Sequence, residues 1–296
     1  RVMARAGFPP GSHNAKALQH ILETYPRDEL FQIDEDTLFD FAAARNYISS
    51  FLKEDMICSL DCDEVYTHLN IDAINDIIRQ GYDQLEYNFI FSHKNDGTPA
   101  MQFIQSKFFN RKKIQWECIV HEVLQPIDKT QPIKIARLEK DVLLLEHFQE
   151  PQREHRDKYI IGLAYDCYQN PTKDRQSHYF AREMFWTKRI QSAKKEFLRH
   201  IAMNAWHAER CESLMFLGDC YGHTNEMTQQ TLCYFRASEC DPLRREPLLR
   251  LSEFYFFHQN FVSAMAYALA ATAIPKNGFY ANNIDNYTTR PWEIIY

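Results

Sequence analysis

What this sequence lacks excludes several function classes before any motif is read. It has no excess of basic residues: 34 Lys and Arg stand against 40 Asp and Glu, a formal net charge of −6. A phosphate backbone calls for the opposite sign, so no nucleic-acid partner is expected. It has no apolar run of roughly 18 residues, so no transmembrane span is expected. A charged-then-apolar secretory leader is absent as well. The cysteines at 58, 62, 118, 167, 211, 220, 233 and 240 include no CxxC pair and no Cys/His quartet. That argues against a zinc site and against a thioredoxin-like redox pair. Several of them fall at helix-core positions, as reduced buried thiols do, and a cytoplasmic location is expected. The chain begins with Arg1, ends at Trp292-Glu293-Ile294-Ile295-Tyr296, and reads as a piece of something longer.

What is present divides into three stretches. In residues 1–40, Gly7-Phe8-Pro9-Pro10-Gly11-Ser12 is a turn-rich lead-in. Ser12 or Asn14 can cap a helix carrying Ala15, Leu18, Ile21 and Leu22. Tyr25-Pro26 ends it, because the residue before proline is pushed out of the α region. A second helix is expected from about Asp34–Asp36 through Phe51-Leu52.

Residues 56–135 read as α/β. The apolar run Met56–Leu60 predicts a strand, Ile71–Ile78 a helix, and Leu85–Phe91 and Met101–Phe109 two strands. Asn95-Asp96-Gly97 supplies turn chemistry for a hairpin between those two strands. Another strand is expected from Ile114 to Val120. From about residue 140 onward the chain reads as all-helical with an internal period. Leu217-Gly218 with Tyr221 reappears 34 residues later as Leu251-Ser252 with Tyr255, and Tyr234 and Ala237 precede Ala264, Ala268 and Ala271. Large and small residues spaced in this way make paired helices interlock in tetratricopeptide fashion. An earlier pair is expected to start at Ile161-Gly162 with Tyr165.

The strand Met56–Leu60 runs into Asp61-Cys62-Asp63-Glu64. Carboxylates at i and i+2 of a strand share a face, so Asp61 and Asp63 are expected side by side. Such a pair can hold a hard divalent cation, and the cation a diphosphate. A solvated turn is the competing reading.

Three motifs carry a resemblance over about residues 39–296: Phe41-Ala42-Ala43-Ala44-Arg45-Asn46, Leu60-Asp61-Cys62-Asp63-Glu64 and Trp116-Glu117-Cys118-Ile119-Val120-His121-Glu122. With Asp241-Pro242-Leu243-Arg244-Arg245-Glu246-Pro247-Leu248 in the helical region, they resemble family 2 glycosyltransferases that carry C-terminal tetratricopeptide repeats. The resemblance implies a fold of α/β plus all-α class. An incomplete GT-A-like (Rossmann-like) glycosyltransferase domain at 41–140 would be followed by tetratricopeptide-like helical repeats at 141–296. Cys62 stands where Ala is more usual in the family. Family members bind the nucleotide base and ribose with a half that precedes Arg45, and this chain has other residues there. Residues 1–40, with Gly11-Ser12-His13 and Ile21–Ile33, resemble a non-catalytic N-terminal piece of the large bacterial NAD-specific glutamate dehydrogenases. No dinucleotide-binding glycine loop accompanies them, and no dehydrogenase activity is implied.

The glycosyltransferase resemblance implies an activity and a site. A sugar would move from a nucleotide-sugar donor to a glycan, lipid-linked or protein acceptor, with inversion, while Mg2+ or Mn2+ neutralises the leaving diphosphate. The metal would be held by Asp61, Asp63 and His121. Asp63 would take the direct bond, and Asp61 the ribose or the metal. Glu122 is the candidate base for the acceptor, with Glu64 and Glu117 as alternatives. His121 would ligate the metal or touch the diphosphate. Trp116 would stack on the acceptor sugar or pack beneath the site. Arg45 and Asn46 would reach the diphosphate or cap the acidic loop. The helical repeats would orient the acceptor or a protein partner. A non-catalytic helical-repeat scaffold carrying a transferase remnant is the alternative.

Overall fold

The computed structural model describes residues 40–148, 157–204, 206–276 and 282–295. The helices expected around residues 15–22 and 34–39 lie outside them. The elements in order are α1 (Phe41–Ser50), β1 (Met56–Cys58), β2 (Glu64–Leu69), α2 (Ile71–Arg79), β3 (Gln84–His93), β4 (Pro99–Asn110), β5 (Ile114–Glu117), β6 (Val123–Pro126), β7 (Ile135–Arg137) and β8 (Leu143–His147). Then come α3 (Asp157–Gln169), α4 (Asp174–Trp186), α5 (Ile190–Met203), α6 (His207–His223), α7 (Met227–Cys240), α8 (Glu246–Phe257), α9 (Phe261–Thr272), β9 (Asn282–Asn283), a 3-10 turn (Ile284–Tyr287) and α10 (Arg290–Ile295).

The first half is a mixed sheet in the order β1-β4-β3-β8-β2. The β3–β4 hairpin is its spine, antiparallel with Gln84 opposite Phe109 and His93 opposite Pro99. Its loop is closed by Gly97 at φ +82° and by the Asp96 carboxylate, which accepts from the Thr98 amide and hydroxyl. Gly suits that left-handed position because it has no Cβ to clash. The hairpin expected at Asn95-Asp96-Gly97 is therefore the one observed. β8 and β7 lie parallel to successive stretches of β3, β2 closes the far edge antiparallel to β8, and β1 closes the near edge antiparallel to β4.

Consecutive strand residues face opposite sides, and the two faces carry separate cores. On one, Ile74 of α2 packs with Leu85, Tyr87, Phe89, Leu143 and Leu145. On the other, Ala42 of α1 packs with Ile57, Phe109, Ile114 and Trp116. α1 begins at Phe41, later than the Asp34–Asp36 start read from the sequence, and the Asp40 side chain caps it by accepting from the Ala43 amide.

Two readings of the sequence need correction. The stretch after residue 140 is not helical throughout, because Leu143–His147 is an interior strand paired on both sides. Its buried positions alternate at Leu143, Leu145 and His147, which is a strand period, not a helical one. The strand expected from Ile114 to Val120 stops at Glu117, where Cys118 takes a left-handed φ of 79°.

The helices after residue 157 form three stacked hairpins, α4–α5, α6–α7 and α8–α9, each turning through a left-handed residue at Lys188, Asn225 or Gln259. The small residues singled out by the 34-residue shift sit where paired helices cross most closely. A Cβ on Gly218 would lie 2.4 Å from the Tyr234 ring. Ser252, fully buried, donates to the Ala264 carbonyl at 2.7 Å. The expected earlier pair at Ile161-Gly162 is different in kind: Gly162 of α3 packs on Ile119 and Val120, at the end of the sheet region. Cys167, Cys211, Cys220 and Cys233 are buried and in no disulfide, as their helix-core positions suggested. Among the described residues no helix is long and apolar enough to cross a membrane.

Candidate functional site

The site is built at the end of β1. That strand stops at Cys58, and Asp61–Glu64 form a β-turn in which the Glu64 amide donates to the Asp61 carbonyl at 3.1 Å. The Glu64 carboxylate returns to accept from the Asp61 amide at 3.0 Å. Asp61 and Asp63 are thus turn residues, and the same-face argument that applies to a strand does not hold for them. Their side chains go to different partners.

Asp61 is held from two sides. Arg45 Nη2 donates to its Oδ1 at 2.5 Å and Lys107 Nζ to its Oδ2 at 2.8 Å. Burial works against the Asp61 charge, but Lys107 and then Arg45 outweigh it and keep the carboxyl below the usual range. Lys107 reaches this position from β4, where it shares the inward face with Phe109 and also donates to both oxygens of Glu64 at 2.5 Å. Arg45 comes from α1. Its Nη1 donates to Ser59 Oγ at 2.9 Å and its Nε to Glu122 Oε1 at 2.6 Å. Desolvation opposes the Arg45 charge, and Glu122 and Asp61 more than offset it. One guanidinium therefore ties helix, acidic turn and candidate base together.

Asp63 faces the other way. Its Oδ2 lies 3.2 Å from Nε2 of His147, at the end of β8. The other ring nitrogen, Nδ1, is 3.1 Å from the Phe91 carbonyl. Both ring nitrogens therefore face acceptor oxygens, and an imidazole keeping its proton on Nδ1 would have Nε2 available to a metal ion shared with Asp63. A carboxylate oxygen and an imidazole nitrogen converging in this way are a donor set suited to Mg2+, Mn2+ or Zn2+.

Two expected roles change, those of His121 and Asn46, and Trp116 takes the second of its two expected places. His121 is not near these donors: its backbone is left-handed (φ 51°), its ring stacks on Tyr179 at 4.3 Å, and its Nε2 is 3.5 Å from the buried Glu183. The left-handed residue swings His121 toward the helices while Glu122 turns back to Arg45. Burial then depresses the His121 pKa. Trp116 packs beneath the site, 6% exposed and edge-on to Phe109 at 5.8 Å, with the Arg45 guanidinium 5.2 Å from its ring centroid. Asn46 neither reaches outward nor caps the turn. Its amide donates to the Trp116 carbonyl at 2.8 Å and accepts from the Trp116 amide at 2.9 Å, pinning α1 to β5.

Arg45, Asn46, Asp61, Trp116 and Glu122 are thus brought into one connected group, and Asp63 adjoins it through the turn. Lys107 and His147 belong to the site and went unread in the sequence. The signal for Lys107 is a charged residue on the inward face of an apolar strand. For His147 it is a histidine continuing the alternation of Leu143 and Leu145. In the basic run Arg111-Lys112-Lys113, Lys112 pairs with Asp55, Lys113 with Asp83, and Arg111 donates to the Glu54 carbonyl.

Residues 1–44 match a family described as glutamate dehydrogenase, helical motif 1. The chain is similar to the NAD-specific glutamate dehydrogenase of Halomonas elongata, 47% identical over 60 residues, which is 18% of this chain and 4% of that protein. It is similar to the Pseudomonas aeruginosa NAD-specific glutamate dehydrogenase at 45% over 60 residues, with the same shares. The chain thus spans about 4% of the length of the curated relatives it matches. The family match ends at residue 44, one position before Arg45.

Proposed function

We propose that the sheet region is the catalytic edge of a metal-dependent glycosyltransferase of the GT-A type, and that the tetratricopeptide-like hairpins orient its acceptor or a protein partner. The substrates are a nucleoside-diphosphate sugar and an acceptor hydroxyl on a glycan, lipid-linked carrier or protein. One observation carries the reading: Asp63 Oδ2 and His147 Nε2 converge at 3.2 Å beside the Arg45–Asp61–Glu122 group. Asp63 and His147 would hold Mg2+ or Mn2+, which supplies charge neutralisation for the leaving diphosphate. Asp61 braces the turn that carries Asp63, because Arg45 and Lys107 already occupy both its oxygens.

Glu122 is the base. Arg45 engages Oε1 of that carboxylate, which orients the group to take the acceptor proton. Asn46 and Trp116 act by fixing α1, and therefore Arg45, against β5. The residues before Arg45 differ from the nucleotide-binding half of such enzymes, so the donor's base and ribose are assigned no pocket in this chain.

A second reading, a non-catalytic helical scaffold carrying a transferase remnant, draws on one feature: Arg45, Asp61 and Lys107 saturate one another. Nucleotide-sugar hydrolysis in Mn2+ separates the two. The enzyme reading expects metal-dependent turnover that falls at least 100-fold in Asp63→Ala and in His147→Ala. Turnover that is absent, or that both variants leave untouched, overturns it.

A further inference from the structure

The helical region holds a second set of donor groups, far in sequence from the acidic turn. Asp174 opens α4, His200 lies in the last turn of α5, and Glu209 lies in the first turn of α6. One ligand-type atom from each falls within 4.8 Å of the others. His200 is 1% exposed, and neither of its ring nitrogens has a hydrogen-bond partner. A buried imidazole left with both nitrogens unsatisfied is rare, because desolvation is uncompensated unless something else takes the lone pair.

The neighbouring histidine does not fill that role. His178, with its ring centroid 5.3 Å from that of His200, is occupied by Ser213 Oγ at 2.8 Å and Glu212 at 3.5 Å. Glu209 is 2% exposed, and its Oε1 accepts from Arg175 at 2.9 Å. Burial first, and then His178, Arg199 and Arg210, push the His200 pKa down to about 3, so the ring is neutral as a metal ligand must be.

We propose that Asp174, His200 and Glu209 form a structural site for a divalent transition-metal ion of the zinc class, one that clamps the first hairpin to the second. One imidazole with two carboxylates suits Zn2+, Co2+ or Mn2+ better than the all-oxygen sets of Ca2+. In a tetrahedral site with bonds of about 2.1 Å, neighbouring ligand atoms sit ~3.4 Å apart. Binding therefore draws these three donors together by at most about 1.4 Å, within the reach of side-chain rotation. The ion would join the start of α4, the end of α5 and the start of α6, and no part of it depends on the glycosyltransferase reading.

The test uses the full chain carrying Asp63→Ala, stripped with chelator and titrated with Co2+, so that an ion at Asp63 and His147 does not enter the count. One equivalent of Co2+ is expected, with visible absorption bands of a low-coordinate site that Zn2+ displaces. Adding Asp174→Asn, a change at a partly exposed helix start, should weaken Co2+ at least tenfold while the far-ultraviolet circular dichroism stays the same. Adding His200→Gln should abolish the bands. Failure of the Asp63→Ala chain to bind Co2+, or Co2+ affinity unaltered by Asp174→Asn, overturns the proposal.

Discussion

Replacing Lys107 by Met tests whether the acidic turn depends on one buried cation. The Lys107 side chain is 5% exposed, as is that of Glu64, whereas that of Asp61 is 42% exposed. Removing the ammonium strands Glu64 without a counter-charge in a dry position, and breaking such a pair from one side costs about 3–5 kcal/mol. The Asp61 half adds little, because Asp61 reaches solvent and keeps Arg45. The expected loss is therefore about 3 kcal/mol, read as a lower urea midpoint at unchanged slope. Glu64→Gln in the same chain removes the stranded charge while its amide oxygen can still accept from the Asp61 backbone. The double variant should recover to within about 1–2 kcal/mol of the parent, giving a coupling energy on the order of 2 kcal/mol. A Lys107→Met loss below about 1 kcal/mol, or two single effects that merely add, would refute the claim that Lys107 sustains the turn.

Other outcomes follow from the same geometry. Gly218→Ala places a methyl 2.4 Å from the buried ring of Tyr234, which Asp219 and Gln230 hold in place; it should cost about 1–2 kcal/mol net of the gain in helix propensity. Gly222→Ala meets only the end of the Gln230 side chain at 2.8 Å, which can yield by giving up its bond to the Tyr234 hydroxyl. The helix-propensity gain offsets that loss, so the change should stay within about 1 kcal/mol of neutral; equal effects at both glycines, by urea unfolding, would show that the close crossing at Gly218 is not decisive. Burial raises the Asp166 pKa to about 6, although its carboxylate accepts from the Ile119 amide at 2.8 Å. The folded state then holds the proton more tightly than the unfolded chain, so this group favours folding at low pH and loses up to about 3 kcal/mol as pH rises from about 4 to 7. Asp166→Asn keeps an acceptor and should raise stability at pH 7 but not at pH 4; a pH-independent difference between variant and parent would contradict the assignment.

How much of this was legible in the sequence depends on whether the information is local. The helix Ile71–Arg79, the β3–β4 hairpin and the close crossings at Gly218 and Ser252 were readable, because each rests on periodicity, turn chemistry or a fixed shift. The hairpin α4–α5 escaped the same shift for a simple reason: its turn residue Lys188 precedes Asn225 by 37 positions, while Asn225 precedes Gln259 by 34. β8 escaped because Leu143-Leu144-Leu145 is a short apolar run ahead of a helical region, and only pairing with β3 and β2 makes it a strand.

The site shows the same division more sharply. The residue types expected to do chemistry do gather, but Arg45 meets Glu122 across 77 positions and Lys107 meets Asp61 across 46. Sequence adjacency paired His121 with Glu122, whereas one left-handed φ at His121 sends them to opposite sides. The imidazole that does face Asp63 comes from His147, on the very strand that read as helix. A wrong period at residues 143–147 and a missing donor at the candidate metal site are therefore one error. Recognising the alternation Leu143, Leu145, His147 would have corrected both.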